Sequence, residues 1–213
     1  AARNIAVNNE APEIVFTTIP SVLVYIDGKP VYEPIKGSKY QRILNTRVLV
    51  LKDKQGGHYL RIMQGWMRAK KVTGVWEVMS QSPKGLGKAM DLALKNRPAD
   101  LLEGGDETAV EGDKVGGAKQ AKKTSPNLTD GPVPRIVAVT SATELIVFDG
   151  NHNYKLIPET QLLFADNTTG NVFRYLTDQH LYLLISGRWY KGVAQNGPWQ
   201  HVTQDNLPAD FGS

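Results

Sequence analysis

The sequence predicts a mainly β protein: two duplicated small antiparallel β-units, each a meander or partly closed barrel, with one short helix and a long polar linker. Three observations carry that prediction. The chain repeats itself at a nearly constant offset, its apolar residues fall in short runs bounded by turn residues, and a segment almost free of large apolar side chains separates the copies.

The repeat sets the organisation. "PEIVFTTIPSVLVYIDGKPVYEPI" begins at Pro12 and "PRIVAVTSATELIVFDGNHNYKLI" at Pro134. At an offset of 122, Ile14, Val15, Thr18, Leu23, Asp27, Gly28, Tyr32 and Ile35 fall on identical residues, as do Asn45, Thr46 and Val50. One inserted residue then moves the offset to 123, where Tyr59, Leu60, Ile62, Trp66, Gly74 and Trp76 match Tyr182, Leu183, Ile185, Trp189, Gly197 and Trp199. The chain therefore divides into an N-terminal arm (1–11), a first β-repeat (12–80), a helical segment (81–102), a polar linker (103–133) and a second β-repeat (134–213).

Within each repeat, two apolar runs flank Asp-Gly, in "VLVYIDGKPVYEPI" and "LIVFDGNHNYKLI". Asp-Gly supplies the positive φ values of a tight turn, so this stretch is expected to be a β-hairpin. After an Asn-Thr turn come "VLVLK", "HYLRIM", "WMRAK" and "VWEVM", with counterparts "VFRYL", "LYLLIS", "RWYKG" and "WQHV". With the hairpin these make six strands per repeat. Leu60 and Ile62 match Leu183 and Ile185, so their face is the expected core; Arg61 is replaced by Leu184, so the other face is expected nearer solvent. Between the repeats, "SPKGLGKAMDLALKNRPADLLEG" has a Ser-Pro start, a short apolar face (Met90, Leu92, Ala93, Leu94) and an Asn-Arg-Pro end. That helix needs a β-surface to lie on. The Gly-, Lys-, Asp- and Pro-rich stretch that follows cannot bury enough surface to offset its ordering entropy, and is expected to be a linker or strap.

Composition bounds the function. The net charge of +4 is uneven: 16 Lys and Arg against 9 Asp and Glu in residues 1–103, but 5 against 7 in residues 134–213. A basic first half attracts anionic polymers or headgroups through a screened field. There is no cysteine, which excludes disulfides, thiol nucleophiles and cysteine-ligated metals. No apolar run is long enough to span a bilayer, and the opening "AARNIAVNNEAPE" has neither the basic n-region nor the apolar stretch of a signal peptide.

Candidate sites are few. Trp66 and Trp76, and again Trp189 and Trp199, stand ten residues apart. Large aromatics fill a small core efficiently, and they also stack on sugar rings or partner proteins. The ligand-binding candidates are therefore Trp189, Tyr190, Trp199, Arg188, Trp66 and Trp76. Of the histidines, His58 aligns with His180, while His152 and His201 complete the set; their spacing is not that of a metal site. "DGNHN" is taken as a polar turn. No nucleophile elbow, P-loop, zinc-protease or dinucleotide fingerprint is present, so neither catalytic residues nor a cofactor is expected. Arg61, Arg68, Lys70 and Lys71 interleave with Tyr59 and Trp66. They suit either contacts with an anionic polymer or a solvated edge that deters strand pairing, and the solvated edge is expected.

The second repeat resembles a family. "PRIVAVTSATELIVFDG", "NTTGNVFRYL", "LYLLISGRWYKG", "NGPWQHV" and "LPADF" are similar to the tandem GRWF…GPW repeats of bacterial envelope and secreted proteins, often labelled carbohydrate-binding family V/XII. In the first repeat "QGW" and "GVW" stand in place of "GRW" and "GPW", and the "SPKG" helix resembles the segment that follows a unit in that family. The resemblance implies a periplasmic, outer-membrane-associated or secreted protein without an assigned activity. The expected function is thus a non-catalytic binding or scaffolding module. Its expected partner is a polysaccharide or an envelope protein; nucleic acid is not expected. The contrasting expectation is an assembly protein that self-associates, with the tryptophans in core or interface.

Overall fold

The computed structural model describes residues 10–104 and 127–212. Residues 1–9 of the expected arm and 105–126 of the expected linker lie outside the described residues. The first repeat runs β1 (Glu13–Thr17), β2 (Ser21–Tyr25), β3 (Tyr32–Pro34), β4 (Gln41–Ile43), β5 (Val50–Lys52), β6 (His58–Ile62), β7 (Gly65–Ala69) and β8 (Glu77–Val78), then helix α1 (Leu86–Asn96). The second runs β9 (Arg135–Val139), β10 (Thr143–Val147), β11 (Tyr154–Leu156), β12 (Leu162–Ala165), β13 (Asn171–Tyr175), β14 (Leu181–Ile185), β15 (Arg188–Gly192) and β16 (Trp199–Val202). β3 to β8 form one six-stranded antiparallel meander and β11 to β16 another, each in sequence order. The protein is mainly β, as two similar six-stranded units with one helix and no closed barrel among the described residues.

The Asp-Gly hairpin does not form. β2 pairs in parallel with β9, Ser21 opposite Arg135 through Tyr25 opposite Val139. β1 pairs in parallel with β10, Glu13 opposite Thr143 through Thr17 opposite Val147. Asp27-Gly28 is still a turn, with Gly28 at φ +84°, the left-handed region a glycine enters without strain. What holds it is a distant side chain. Asn45 Nδ2 donates to the carbonyls of Asp27 and Lys29, both at 2.9 Å, and its Oδ1 accepts from Val31 N–H at 2.9 Å. Asn167 does the same for Asp149, Asn151 and Asn153. Thr46 and Thr168 complete the copy by donating to Tyr25 O and Val147 O. The repeated "NT" is thus a clamp on the turn, and the duplication extends to individual hydrogen bonds.

The chain forms two compact units, and each takes one strand from the other repeat. Residues 20–104 and 127–142 make one; residues 10–19 and 143–212 make the other. The first-repeat meander therefore packs on β2 with β9, and the second-repeat meander on β10 with β1. By the sequence offset β1 corresponds to β9 and β2 to β10, so the leading strands have been exchanged between repeats.

In the first-repeat unit the exchanged pair supplies Val22, Val24, Ile26 and Ile136 to a core with Ile43, Val50, Leu60, Ile62, Met67 and Trp76. Leu60 and Ile62 are fully buried, as expected. Removing such a side chain from water is worth about 1.5–3 kcal/mol. The opposite face is a second core and does not face solvent. Leu86, Ala89 and Ala93 of α1 lie on Leu49, Leu51, Tyr59 and Trp66. Arg42 fixes the far end of that helix: Nη1 donates to Ala93 O at 3.0 Å and Arg97 O at 2.7 Å, and Nη2 to Pro98 O at 3.2 Å. A buried guanidinium is tolerable here because it meets three carbonyls at the negative end of the helix, of which Ala93 O also accepts the Arg97 amide. Burial, then the neighbouring Arg97, pulls its pKa below the usual guanidinium value, against a smaller opposing pull from Glu33.

Candidate functional site

The strand register separates the tryptophans of each pair. On β15, Trp189 stands opposite Val202, whereas Tyr190 stands opposite His201 and Gly192 opposite Trp199. Side chains alternate along a strand, so Trp189 lies on one face of the second meander and Tyr190 and Trp199 on the other. The same split occurs in the first repeat, where Trp66 packs under α1 and Trp76 in the core over the exchanged strands. Trp66 and Trp76 are 6% and 8% exposed, and Trp76 Nε1 donates to Val72 O at 3.0 Å.

Trp199 and Tyr190 have inward neighbours. Tyr190 is buried and meets His201 edge-on at 5.8 Å. The Trp199 ring covers Gly192 so closely that a Cβ there would lie 2.7 Å from Cε3 and Cζ3. A cis Gly197-Pro198 bond leads into Trp199, with Gly197 at φ +79°. Its ring stands 6.1 Å from Phe16 of the exchanged strand β1. Phe16 meets Phe148 at 6.0 Å, and Phe148 stacks on His152 at 3.6 Å with the planes 14° apart. His152, placed by sequence in a polar turn, is thus an aromatic partner. Burial draws its pKa below the imidazole norm.

Trp189, half-buried like Trp199, lies on the other face. It contacts Phe173 at 5.6 Å and Phe211 at 5.0 Å, and Phe211 also reaches Tyr182 at 5.0 Å. Phe211 sits in a short 3-10 turn, Ala209–Gly212, against Phe173, Tyr182 and Trp189, whose counterparts Leu51, Tyr59 and Trp66 lie under α1. Trp189 and Phe173 are half-buried, whereas their counterparts Trp66 and Leu51 are buried beneath the helix. Arg188, beside Trp189, is half-buried with partners of its own. The structure therefore brings Trp189 together with an aromatic face, and does not join it to Tyr190 and Trp199 in one platform.

An arrangement that sequence reasoning missed occurs at both meanders. Tyr59 Oη donates to Asp53 Oδ2 at 2.7 Å and Tyr182 Oη to Asp178 Oδ2 at 2.7 Å. Asp53 also accepts the amides of Gln55 and Gly57, and Asp178 that of His180. Burial pushes both carboxyls up, but these hydrogen bonds outweigh it and hold them below the usual carboxylate range. Lys191 Nζ lies 3.7 Å from Asp178, in the place Arg68 holds near Asp53. Arg68 also lies over Tyr59 and Arg61 over Trp66, so two of the four basic candidates are engaged within the repeat. His58 is buried, with Tyr32 Oη 2.7 Å from its Nε2. Burial, then Lys52, lowers its pKa.

Among the described residues no three His, Asp or Glu side chains gather as a metal site would need. No helix is long and apolar enough to cross a membrane, also among the described residues. Comparisons of the chain with protein-family models, curated proteins and solved structures return no match.

Proposed function

We propose that the protein is a non-catalytic binding or scaffolding module whose binding surface is the aromatic face of the second repeat, centred on Trp189. One observation carries this reading. Equivalent meander faces are closed differently: a helix covers Trp66, while Phe211 of a short 3-10 turn lies against Trp189. The half-buried indole beside the half-buried Phe173 offers an apolar surface of the kind that stacks on sugar rings, and polysaccharide is the proposed ligand class. The resemblance of "GRWY" and "GPW" to the repeats of envelope and secreted proteins supports a periplasmic, outer-membrane-associated or secreted site of action.

Tryptophan fluorescence with a panel of soluble glycans tests it. Trp66 and Trp76 should contribute blue-shifted emission closed to iodide, and the half-buried Trp189 and Trp199 quenchable components, of which a bound glycan protects that of Trp189. Trp189→Ala should remove both that component and glycan binding. If no glycan protects it and Trp189→Ala instead dissolves a dimer seen by light scattering, the same face is an assembly surface.

A further inference from the structure

The turn between β3 and β4 is duplicated hydrogen bond by hydrogen bond. Ile35 N–H donates to Tyr40 O, Ser38 Oγ to Ile35 O, and Tyr40 N–H to Ser38 Oγ; Ile157, Thr160 and Leu162 repeat each bond between β11 and β12. Lys39 and Gln161 are therefore the same position of the same turn. Gln161 N–H donates to the carboxylate of Asp210 at 2.7 Å. Lys39 N–H has no partner among the described residues. One copy of the turn holds an anion supplied by its own chain, and the other turns the equivalent donor toward a cleft of different charge.

The surroundings of the two donors differ in charge. Around Lys39 lies an open cleft of about 630 Å³ lined by Lys39, Lys54, Lys84 and Lys88, with Tyr40 and Asp53 among its other walls. None of the four lysines forms an ion pair among the described residues. The oxygens of Asp53 are already taken by Tyr59 and two backbone amides, so its single charge is engaged. The start of α1 also opens at this cleft, at Gly85, with no side chain capping it. In the second repeat the positions of Lys39 and Lys54 are Gln161 and Leu176, where one carboxylate suffices.

We infer that the cleft between the β3–β4 turn and the start of α1 binds a multiply charged oxyanion of the phosphate-ester class, seated on Lys39 N–H in the position Asp210 takes in the other repeat. A single carboxylate would leave most of the lysine charge unmatched, whereas a phosphate ester or diphosphate meets several ammonium groups at once. This site is separate from the Trp189 face, on the other unit.

Amide chemical shifts of the full chain, titrated with inorganic pyrophosphate, read the site directly. The amide of Lys39 and those from Lys84 to Lys88 should move and saturate together. Reversing two charges, Lys84→Glu with Lys88→Glu, should weaken binding by about tenfold or more; both residues are exposed, and an unchanged spectrum elsewhere reports an intact fold. Lys54→Glu should weaken it in the same direction. Reversing two exposed lysines outside the cleft, Lys29→Glu with Lys71→Glu, should leave it unchanged. A stationary Lys39 amide, or an equal loss in the Lys29/Lys71 pair, overturns the inference and leaves only a diffuse field. Vesicles of phosphatidylcholine with and without phosphatidic acid then assign the source. Competition by phosphatidic acid supports a lipid headgroup at the same cleft, and its absence supports a free phosphate ester there.

Discussion

The two repeats share a meander, a turn clamp and an aspartate–tyrosine pair, and they differ in what closes the outer face. The first repeat covers Leu49, Leu51, Tyr59 and Trp66 with a helix. The second sets the ring of Phe211 against Tyr182, Phe173 and Trp189. The substitutions follow the covering. Arg42, which holds the helix end, is Phe164 in the second repeat; Arg61 is Leu184. A duplicated sheet thus keeps the face that carries its core and frees the other to specialise, one copy toward charge and one toward aromatic surface.

The sharpest way to break the comparison is to separate the repeats. Each meander packs on a strand from the other repeat, so residues 134–213 alone have β9 without its partner β2, and β10 without β1. The equivalence of β9 and β1 gives a remedy: two such chains can exchange β9, as the repeats do in the intact chain. We expect residues 134–213 to be dimeric by light scattering, or largely unfolded at low concentration. A well-folded monomer would show that the exchange is dispensable.

That exchange also marks the limit of what the sequence reveals. The offset identified β1 with β9 and β2 with β10, but parallel partners far apart in the chain leave no local signal, and Asp-Gly between apolar runs carries the strongest hairpin signature. Each repeat has eight strands, yet each meander has the expected six, because β4 and β12 join it while β2 and β10 leave it. Trp189, Tyr190 and Trp199 were found by their spacing, but which face each occupies depends on the β15–β16 register, which ten-residue spacing does not fix. The aspartate–tyrosine pairs were missed for a countable reason. The tyrosines are 123 residues apart and the aspartates 125, so the loop before them slips out of alignment.

The next largest effect lies at the helix end. Arg42→Ala removes three charge-assisted hydrogen bonds and strands the carbonyls of Arg97 and Pro98, while Ala93 O keeps the Arg97 amide. We expect a loss of about 3 kcal/mol in urea unfolding, with the α1 amides exchanging early. Phe164→Ala at the matching position removes half-buried apolar surface alone and should cost roughly 1.5 kcal/mol. Equal losses would mean that the guanidinium contributes only its packing.

A smaller and more symmetric effect belongs to the tyrosines. Tyr59→Phe and Tyr182→Phe each delete one hydrogen bond to a carboxylate, worth about 1.5–2 kcal/mol at neutral pH. Because Asp53 and Asp178 titrate below the unfolded-chain value in the folded protein, their stabilisation is complete above about pH 4 and disappears as pH falls through the folded pKa. Wild type and the phenylalanine variants should therefore converge in acid. Variants that stay separated to the lowest pH would assign the loss to packing.

The gentlest effect is a histidine asymmetry. His58 is buried against Tyr32, and its folded pKa lies below the unfolded value of about 6.5. The folded state therefore holds His58 neutral while the unfolded chain takes up a proton first. Stability must then be full above about pH 6.5 and decline as pH falls from there toward the folded pKa, the opposite sign to a histidine stabilised as a cation. His152, stacked on Phe148 and lowered by burial, adds to the same decline from the other unit. His58→Asn and His152→Asn should each flatten part of the slope of urea midpoint against pH between about 7 and 5, His58 in the first-repeat unit and His152 in the second. Following an amide from each unit by hydrogen exchange separates the two contributions. If either substitution leaves its own unit's slope unchanged, that imidazole is not what couples the unit to acid.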